Sequence, residues 1–157
     1  MQFNLQRLFS LVTGLWVGGL ITVGFLVTPI LFSALGDRQV AGMVAGHLFK
    51  VEANLSVFLS VVLMILANVL VRQGCGQFRL ARWTLLGMFA CAISAAFILI
   101  PWMESVKDQA LYVGMNVMES SFADLFTRLH NISSIVFGTQ SLLGLFLAWH
   151  LTKKLMR

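Results

Sequence analysis

The sequence predicts an all-α membrane protein, a bundle of four transmembrane helices. Of the 157 residues, 59% are hydrophobic and only 11% are charged, and four long uncharged stretches divide the chain. Soluble domains are roughly 45–50% apolar and about 25% charged. The composition therefore excludes an ordinary soluble enzyme and a disordered chain. A mean hydropathy of +0.89 is typical of a protein that lies in a lipid bilayer.

Each uncharged stretch is long enough to cross the hydrocarbon core, which takes about 20 residues of helix. The predicted spans cover residues 8–35, 53–71, 83–103 and 129–152. The first span is too long for the apolar core of a signal peptide, and none of them alternates as the strands of a membrane barrel do. Pro29 is expected to kink the first span, and Pro101 to bend or end the third. We expect one four-helix domain over residues 1–157, without an internal repeat.

Apolar spacing continues beyond the second and fourth spans. The two stripes comprise Val40, Val44, Leu48, Val51, Leu55, Phe58 and Val62, and Leu111, Met115, Met118, Phe122, Leu125, Leu129, Ile132 and Val136. We expect helices 2 and 4 to extend past the outer membrane face and to bury these stripes on each other. Gly36 is expected to end the first helix in a left-handed conformation, and Asp37 to cap the next. The i, i+4 spacing of Asp124 and Arg128 predicts an ion pair.

The distribution of charge predicts the orientation. The amino terminus, the second connector and the tail carry seven basic residues and no acid, whereas the first and third connectors carry four basic and six acidic residues. Cytoplasmic loops of membrane proteins are enriched in Lys and Arg. Both termini are therefore expected in the cytoplasm. The basic residues form no stripe interleaved with aromatic residues, so nucleic-acid binding is not expected.

Polar residues within the spans are few. No ionisable group falls at mid-depth, which argues against an ion-coupled transporter, because such proteins usually hold a buried carboxylate. Gln140 is expected to form a hydrogen bond between helices, and Trp16, near the middle of the first span, either faces lipid or fills the bundle interior. Cys75 lies in a polar connector and Cys91 in an apolar run, so a disulfide between them is not expected.

Small residues at four-residue spacing predict where helices pack closely in lipid. Three such sets occur: Gly14, Gly18 and Thr22; Ala92 and Ala96; and Ser134, Gly138 and Ser141.

Histidine and methionine residues near the outer ends of the helices suggest a metal site. His47 and His130 lie at similar depth on different helices, and Met43 is one turn from His47. Imidazole and thioether ligands suit copper, and two histidines on different helices suit haem. Against this, the outer methionines also fit the apolar stripes. The ligand set is thus a weak candidate, and no cofactor is assigned.

Several motifs carry a family resemblance. They are Leu-Trp-Val-Gly-Gly at 15–19, Pro-Ile-Leu-Phe at 29–32, Ala-Gly-Met-Val-Ala-Gly at 41–46 before Leu48 and Phe49, and Arg-Leu-His at 128–130 before Ser133 and Ser134. Together they resemble the transmembrane protein 205-like family, also called domain of unknown function 4149. The resemblance implies a four-helix protein of the inner membrane when bacterial, with Trp16, Gly18, Gly19, Pro29, Arg128 and His130 as hallmark positions.

A looser similarity runs to copper-resistance D-type membrane proteins and to small membrane protoporphyrinogen oxidases. The oxidases have a histidine before the first-span tryptophan, and this chain has none before Trp16.

These observations predict a non-enzymatic inner-membrane protein, because no nucleophile is assignable with a base and an orienting acid. It is expected to act as an accessory in small-molecule or metal handling, or as a partner of another membrane assembly or of a second copy of itself. The alternative is a redox protein that binds haem or copper through His47 and His130.

Overall fold

The computed structural model describes residues 2–76 and 78–155, which are helical nearly throughout. Its helices are α1 (Gln2–Ile21), α2 (Thr28–Ala34), α3 (Arg38–Arg72), α4 (Phe78–Ile93), α5 (Ile100–Tyr112) and α6 (Ala123–Leu155). Short π-helical segments continue α1 into α2 and α4 into α5, and a 3-10 turn at Val117–Glu119 precedes α6. Four helical units are long and apolar enough to cross a membrane, namely Asn4–Ala34, Arg38–Arg72, Phe78–Tyr112 and Ala123–Thr152. The predicted four-helix membrane architecture is confirmed.

The four units pack as an up-down-up-down bundle. The first unit lies between α3 and α6, and α4 packs against the same two helices from the other side. One end of the bundle, called the connector end here, carries the turns at 35–37 and 113–122. The opposite terminal end carries residues 2–7, the turn at 73–76 and residues 150–155. The structural units α3 and α6, of 35 and 33 residues, exceed a minimal span, and their extension beyond the outer membrane face stays a prediction.

The two halves of the chain repeat one design, which the sequence analysis did not expect. In each half a π-helical segment of six residues, Thr22–Val27 or Ser94–Leu99, leads into a helix with proline at its second position. Proline has no N–H to donate, and the wider π turn accommodates the missing bond. In the first half, the backbone N–H and the hydroxyl of Thr28 both donate to the carbonyl oxygen of Val23. Each half then continues through a turn into a long helix.

The helix ends correct one prediction and confirm another. Asp37 caps α3, and its carboxylate accepts hydrogen bonds from the backbone N–H groups of Gln39 at 2.7 Å and Val40 at 3.4 Å. Gly36, however, is not left-handed; the positive φ angles belong to Gly74, at 90°, and Gly114, at 74°. Both of these glycines follow the ends of long helices, where a residue without Cβ adopts the left-handed conformation at little cost.

The apolar stripes predicted to be buried are mostly on the outside. Phe58 is 63% exposed and Val51, Leu55, Met115 and Met118 are also exposed, although Leu129 is buried. The buried face of α3 consists instead of small and polar residues, namely Ala41, Ala45, Glu52, Ala53, Ser56, Ser60 and Ala67, with Leu63 and Leu70 nearer its terminal end. In lipid the apolar face of a helix needs no protein partner, and close packing favours small side chains. The expected burial of the two stripes on each other was therefore wrong.

Large buried side chains fill the terminal half of the bundle. Phe9 and Phe78 meet edge to face with ring centroids 5.0 Å apart. The same core includes Leu63, Leu70, Leu85, Met88 and Leu147, with Leu20 near the middle of the first unit. A smaller group near the connector end comprises Leu99, Val106 and Leu129. Exposed large apolar side chains occur on every long helix, as contact with a lipid bilayer requires.

Candidate functional site

A hydrogen-bonded network of four buried polar side chains joins three helices inside the bundle. Its members are Trp16 of α1, Glu52 and Ser56 of α3, and Gln140 of α6, which are 4%, 7%, 0% and 2% exposed, respectively. The indole Nε1 of Trp16 donates to Ser56 Oγ at 2.8 Å, and the amide Nε2 of Gln140 donates to the same oxygen at 2.9 Å. Ser56 Oγ in turn donates to Glu52 Oε1 at 2.6 Å. We call these four residues the Glu52 network.

The geometry determines the direction of each hydrogen bond. A serine hydroxyl has two acceptor lone pairs and one hydrogen to donate. The N–H groups of Trp16 and Gln140 occupy both lone pairs of Ser56, so its single hydrogen is available only for Glu52. Ser56 is thereby fully satisfied, and the orientation of its hydroxyl is set by side chains from two other helices.

The network runs from the middle of α6 to the connector-side edge of the predicted second span, where Glu52 follows Lys50 by two residues. Gln140 is twelve residues from Arg128 and thirteen from Lys153, the charged residues that flank its span. At about 1.5 Å per residue, each of these charges is roughly 18–20 Å away along α6. Glu52 lies one helical turn from Ser56, toward the connector end. A carboxylate that the sequence analysis placed at the edge of a span is therefore buried inside the bundle. That no ionisable group falls at mid-depth of the membrane stays a prediction.

Glu52 has no counter-charge among the residues that the structure describes. The salt bridge found within 2–76 and 78–155 joins Lys50 to Glu104 at 2.9 Å, with both side chains about half exposed. Lys107 lies over the ring of Phe126, 5.4 Å from its centroid. The two lysines at this end of the bundle thus have other contacts, and a neutral hydroxyl is the donor to Glu52.

Trp16 is the hallmark residue that the structure brings into the network. Of the two locations left open for it, the bundle interior is the one observed. Gln140 forms the hydrogen bond between helices that was expected of it. Gly18 and Gly19, by contrast, lie on the exposed side of α1, where an added Cβ meets nothing within 4 Å. Pro29 is also exposed, on α2.

The small-residue sets give a mixed outcome. Ala92 is buried in α4 and Ser141 in α6, as helix packing predicts. Gly14, Gly18 and Thr22 are exposed, and a Cβ added to Gly14 or Gly18 meets nothing within 4 Å. Ser141 carries the one buried side-chain oxygen without a hydrogen-bond partner in the described part of the chain.

The remaining candidates lie apart from the network. Arg128 and His130 are exposed on α6. The ring of His130 stacks on that of Phe126, with 6.3 Å between the ring centroids. Asp124 and Arg128 do not form the predicted ion pair, since Lys50–Glu104 is the salt bridge present in residues 2–76 and 78–155.

The candidate metal ligands are not gathered into a site. His47 and Met43 are exposed on α3, and Nδ1 of His47 contacts the carbonyl oxygen of Met43 at 3.0 Å. Over the described residues, no three His, Cys, Asp or Glu side chains form a group able to hold a metal ion. The copper or haem hypothesis gains no support from this arrangement.

Sequence reasoning missed Glu52 because it was treated as the charge that bounds the second span. A usable signal was present. Glu52, Ser56 and Ser60 follow each other at four-residue spacing, which places three polar side chains on one face of a helix that is otherwise apolar. In a membrane, such a face is expected to turn toward the bundle interior.

Comparison with known proteins places the chain in a family. No curated protein and no solved structure gives a significant match, so the looser likeness to copper-resistance proteins is not confirmed. The model of a domain of unknown function, DUF4149, matches residues 11–111. The matched part runs from α1 to α5 and contains Trp16, Glu52 and Ser56 of the network. Since it covers more than half of the sequence, the chain belongs to the DUF4149 family.

Proposed function

We propose that this protein is a non-enzymatic accessory protein of the bacterial inner membrane whose bundle core takes up a proton at Glu52. The observation that carries the proposal is the environment of the Glu52 carboxylate, which lies inside the bundle and accepts a hydrogen bond from the neutral hydroxyl of Ser56. The small-molecule handling expected from the sequence is thus specified as the binding of a proton.

Electrostatics favours a bound proton. An ionised carboxylate inside a bilayer costs several kcal/mol unless a cation offsets its charge. The helices that contribute to the network supply only neutral groups, the indole of Trp16 and the amide of Gln140. On its own helix, the nearest lysine is Lys50, which is bound to Glu104. A proton neutralises the carboxylate without displacing any of these side chains.

The same geometry links the protonation of Glu52 to the packing of three helices. Ser56 Oγ connects Glu52 to α1 and α6 through two further hydrogen bonds. A change of charge at Glu52 alters the strength of the hydrogen bond that Glu52 accepts from Ser56. Because this polarises the Ser56 hydroxyl, it also alters the two hydrogen bonds that Ser56 Oγ accepts from the other helices. We therefore propose that proton uptake biases the packing of these three helices, and that another membrane protein or a second copy of the chain responds to it.

Orientation enters the proposal through the basic residues. In the sequence, the amino terminus, the second connector and the tail carry seven basic residues and no acid, which supports cytoplasmic termini. The connector end then faces outward. Glu52 is one helical turn nearer the connector end than Ser56. We therefore propose that its proton exchanges with the outer aqueous phase.

Infrared difference spectroscopy of the full chain in lipid nanodiscs tests the proposal. We expect the carbonyl band of a protonated carboxylic acid at neutral pH, its loss in Glu52→Gln, and its retention in the matched variant Glu104→Gln, because Glu104 is half exposed and salt-bridged. A spectrum without this band, or a band that persists in Glu52→Gln, would overturn the proposal. Replacing the buffer cation by sodium is expected to leave the band unchanged.

A further inference from the structure

Two phenylalanine side chains lie one turn from the Glu52 network, on its connector side. The rings of Phe49 and Phe137 meet edge to face, at 83° and 5.2 Å between centroids. Phe49 precedes Glu52 by three residues, and Phe137 precedes Gln140 by three. Because α3 and α6 both run from the connector end to the terminal end, both rings stand nearer the connector end than the two polar side chains do.

The ring of Phe137 is seated against a glycine of the first π-helical segment. A Cβ added to Gly24 would lie 2.6 Å from Phe137 Cζ and closer still to Cε1. The ring thus occupies the space that a side chain at position 24 would need. Phe25, the next residue, lies 6.5 Å from the same ring between centroids.

The opposite side of the network is closed by close-packed side chains. The terminal half of the bundle contains Phe9, Leu63, Leu70 and Leu147, all essentially without exposed surface. Such interiors are packed at near-crystalline density and admit no water without large rearrangement. At the connector side, Phe49 and Phe137 are only partly buried, and Lys50, the residue after Phe49, forms its half-exposed ion pair with Glu104. This pair brings water to within two residues of Glu52 on the connector side.

We propose that Phe137, seated on Gly24, is a lid that controls the entry of water and protons from the connector end to the Glu52 network. This inference rests on the proposed role of Glu52 as a proton acceptor and specifies how the proton reaches it. Rotation of the Phe137 ring out of its seat opens the path. The π-helical segment Thr22–Val27, with Pro29 close behind it, forms the movable side of the seat, since such segments lack the regular i to i+4 bonding.

A single methyl group tests the lid. In Gly24→Ala the new Cβ occupies the position of the ring tip, so the ring must move. Gly19→Ala is the matched control on the same helical unit, because its Cβ meets nothing within 4 Å. Phe137→Leu removes the ring by a second route and retains an apolar side chain, so the test does not depend on one variant folding.

The readout is hydrogen–deuterium exchange of the Trp16 indole N–H, followed by NMR of the full chain in nanodiscs. Trp16 is buried whereas Trp83, Trp102 and Trp149 are exposed, so its signal is the slowly exchanging one. We expect exchange at least about tenfold faster in Gly24→Ala and Phe137→Leu, and unchanged in Gly19→Ala, because opening the lid exposes the network to water. Melting temperatures verify that the variants are folded.

The outcomes separate the lid from the proton site. Unchanged exchange in folded Gly24→Ala and Phe137→Leu would overturn the lid, even with the infrared band of Glu52 present. Faster exchange of the Trp16 N–H in Gly24→Ala and Phe137→Leu, together with a missing infrared band of Glu52, would support the lid and overturn the proton site. Equal acceleration in Gly19→Ala would show a general loosening of α1 and would also overturn the lid.

Discussion

The indole nitrogen of Trp16 and the hydroxyl oxygen of Ser56 are 2.8 Å apart, and this hydrogen bond ties α1 to α3 across 40 residues of sequence. The same oxygen accepts from Gln140 of α6, so one serine side chain connects three helices. Hydrogen bonds between transmembrane helices are worth only about 0.6 kcal/mol on average and up to roughly 1.7 kcal/mol. The network therefore matters more for specifying one arrangement than for total stability.

Trp16→Phe is expected to lower the free energy of unfolding by about 0.5–2 kcal/mol, because it removes the N–H donor and nearly preserves the apolar bulk. Trp149→Phe is the control, since Trp149 is 69% exposed and its replacement is expected to have little effect. Reversible unfolding in mixed detergent micelles measures both values. Equal effects of the two substitutions would contradict the role assigned to the Trp16 hydrogen bond.

Ser56→Ala is expected to cost more than Ser60→Ala, by about 1–3 kcal/mol. Ser60 Oγ donates only to the backbone oxygen of Ser56, within its own helix, whereas loss of the Ser56 hydroxyl leaves the groups of Trp16, Gln140 and Glu52 without their shared partner. Both serines are fully buried, so burial does not confound the comparison. Unfolding of the two variants under the same conditions measures the difference, and a larger loss in Ser60→Ala would contradict the network.

The sequence predicted the number and type of the helices but assigned their faces incorrectly. Uncharged length alone defines a span, which is why all four were found. Hydrophobic periodicity locates the core only when water is the solvent. Phe58 lies on the predicted buried stripe and is exposed, whereas Ser56 and Ser60, on another face, are buried. In a bilayer the apolar stripe faces lipid and the small or polar face turns inward.

Of the network residues, the sequence analysis singled out Trp16 as a hallmark position and Gln140 as a hydrogen-bonding residue, but not Glu52. A central tryptophan or glutamine in an apolar stretch is conspicuous as a single residue. Glu52 looked like a boundary because Lys50 lies two residues before it. Only the packed structure shows that Lys50 and Glu52 have different environments. Lys50 reaches an exposed partner on α5, whereas Glu52 contacts Ser56 of its own helix. The seat of Phe137 on Gly24 depends on the π-helical geometry and could not be read from spacing.

Lys50→Ala is expected to lower the free energy of unfolding by less than about 1 kcal/mol, because an exposed ion pair is screened by water and salt. The pair joins α3 to α5 at 2.9 Å with both side chains about half exposed. Exchange of the charges in Lys50→Glu with Glu104→Lys is expected to recover most of the loss. Unfolding at low and high salt checks the sign; a cost well above this bound that salt does not reduce would show that the pair is shielded from solvent.

Two glycines of α6 are expected to respond oppositely to alanine. A Cβ on Gly144 would lie 3.0 Å from Cγ2 of Val17 and 3.2 Å from Cε of Met88, so Gly144→Ala crowds the contact of α6 with α1 and α4. Overpacking of this kind costs typically about 1–3 kcal/mol. Gly138→Ala adds a Cβ that meets nothing within 4 Å, and alanine in a helix interior is favoured over glycine by roughly 0.8–1.0 kcal/mol.

Thermal unfolding of the two variants in the same nanodiscs measures this contrast. We expect Gly144→Ala to melt below the native chain and Gly138→Ala to melt at or above it, because backbone propensity acts equally at both sites and only the packing differs. Val17→Ala is expected to relieve the crowding in Gly144→Ala, since Val17 supplies the nearest atom. A double variant no more stable than Gly144→Ala, after the cost of Val17→Ala alone is subtracted, would contradict direct packing of α1 on α6 at this glycine.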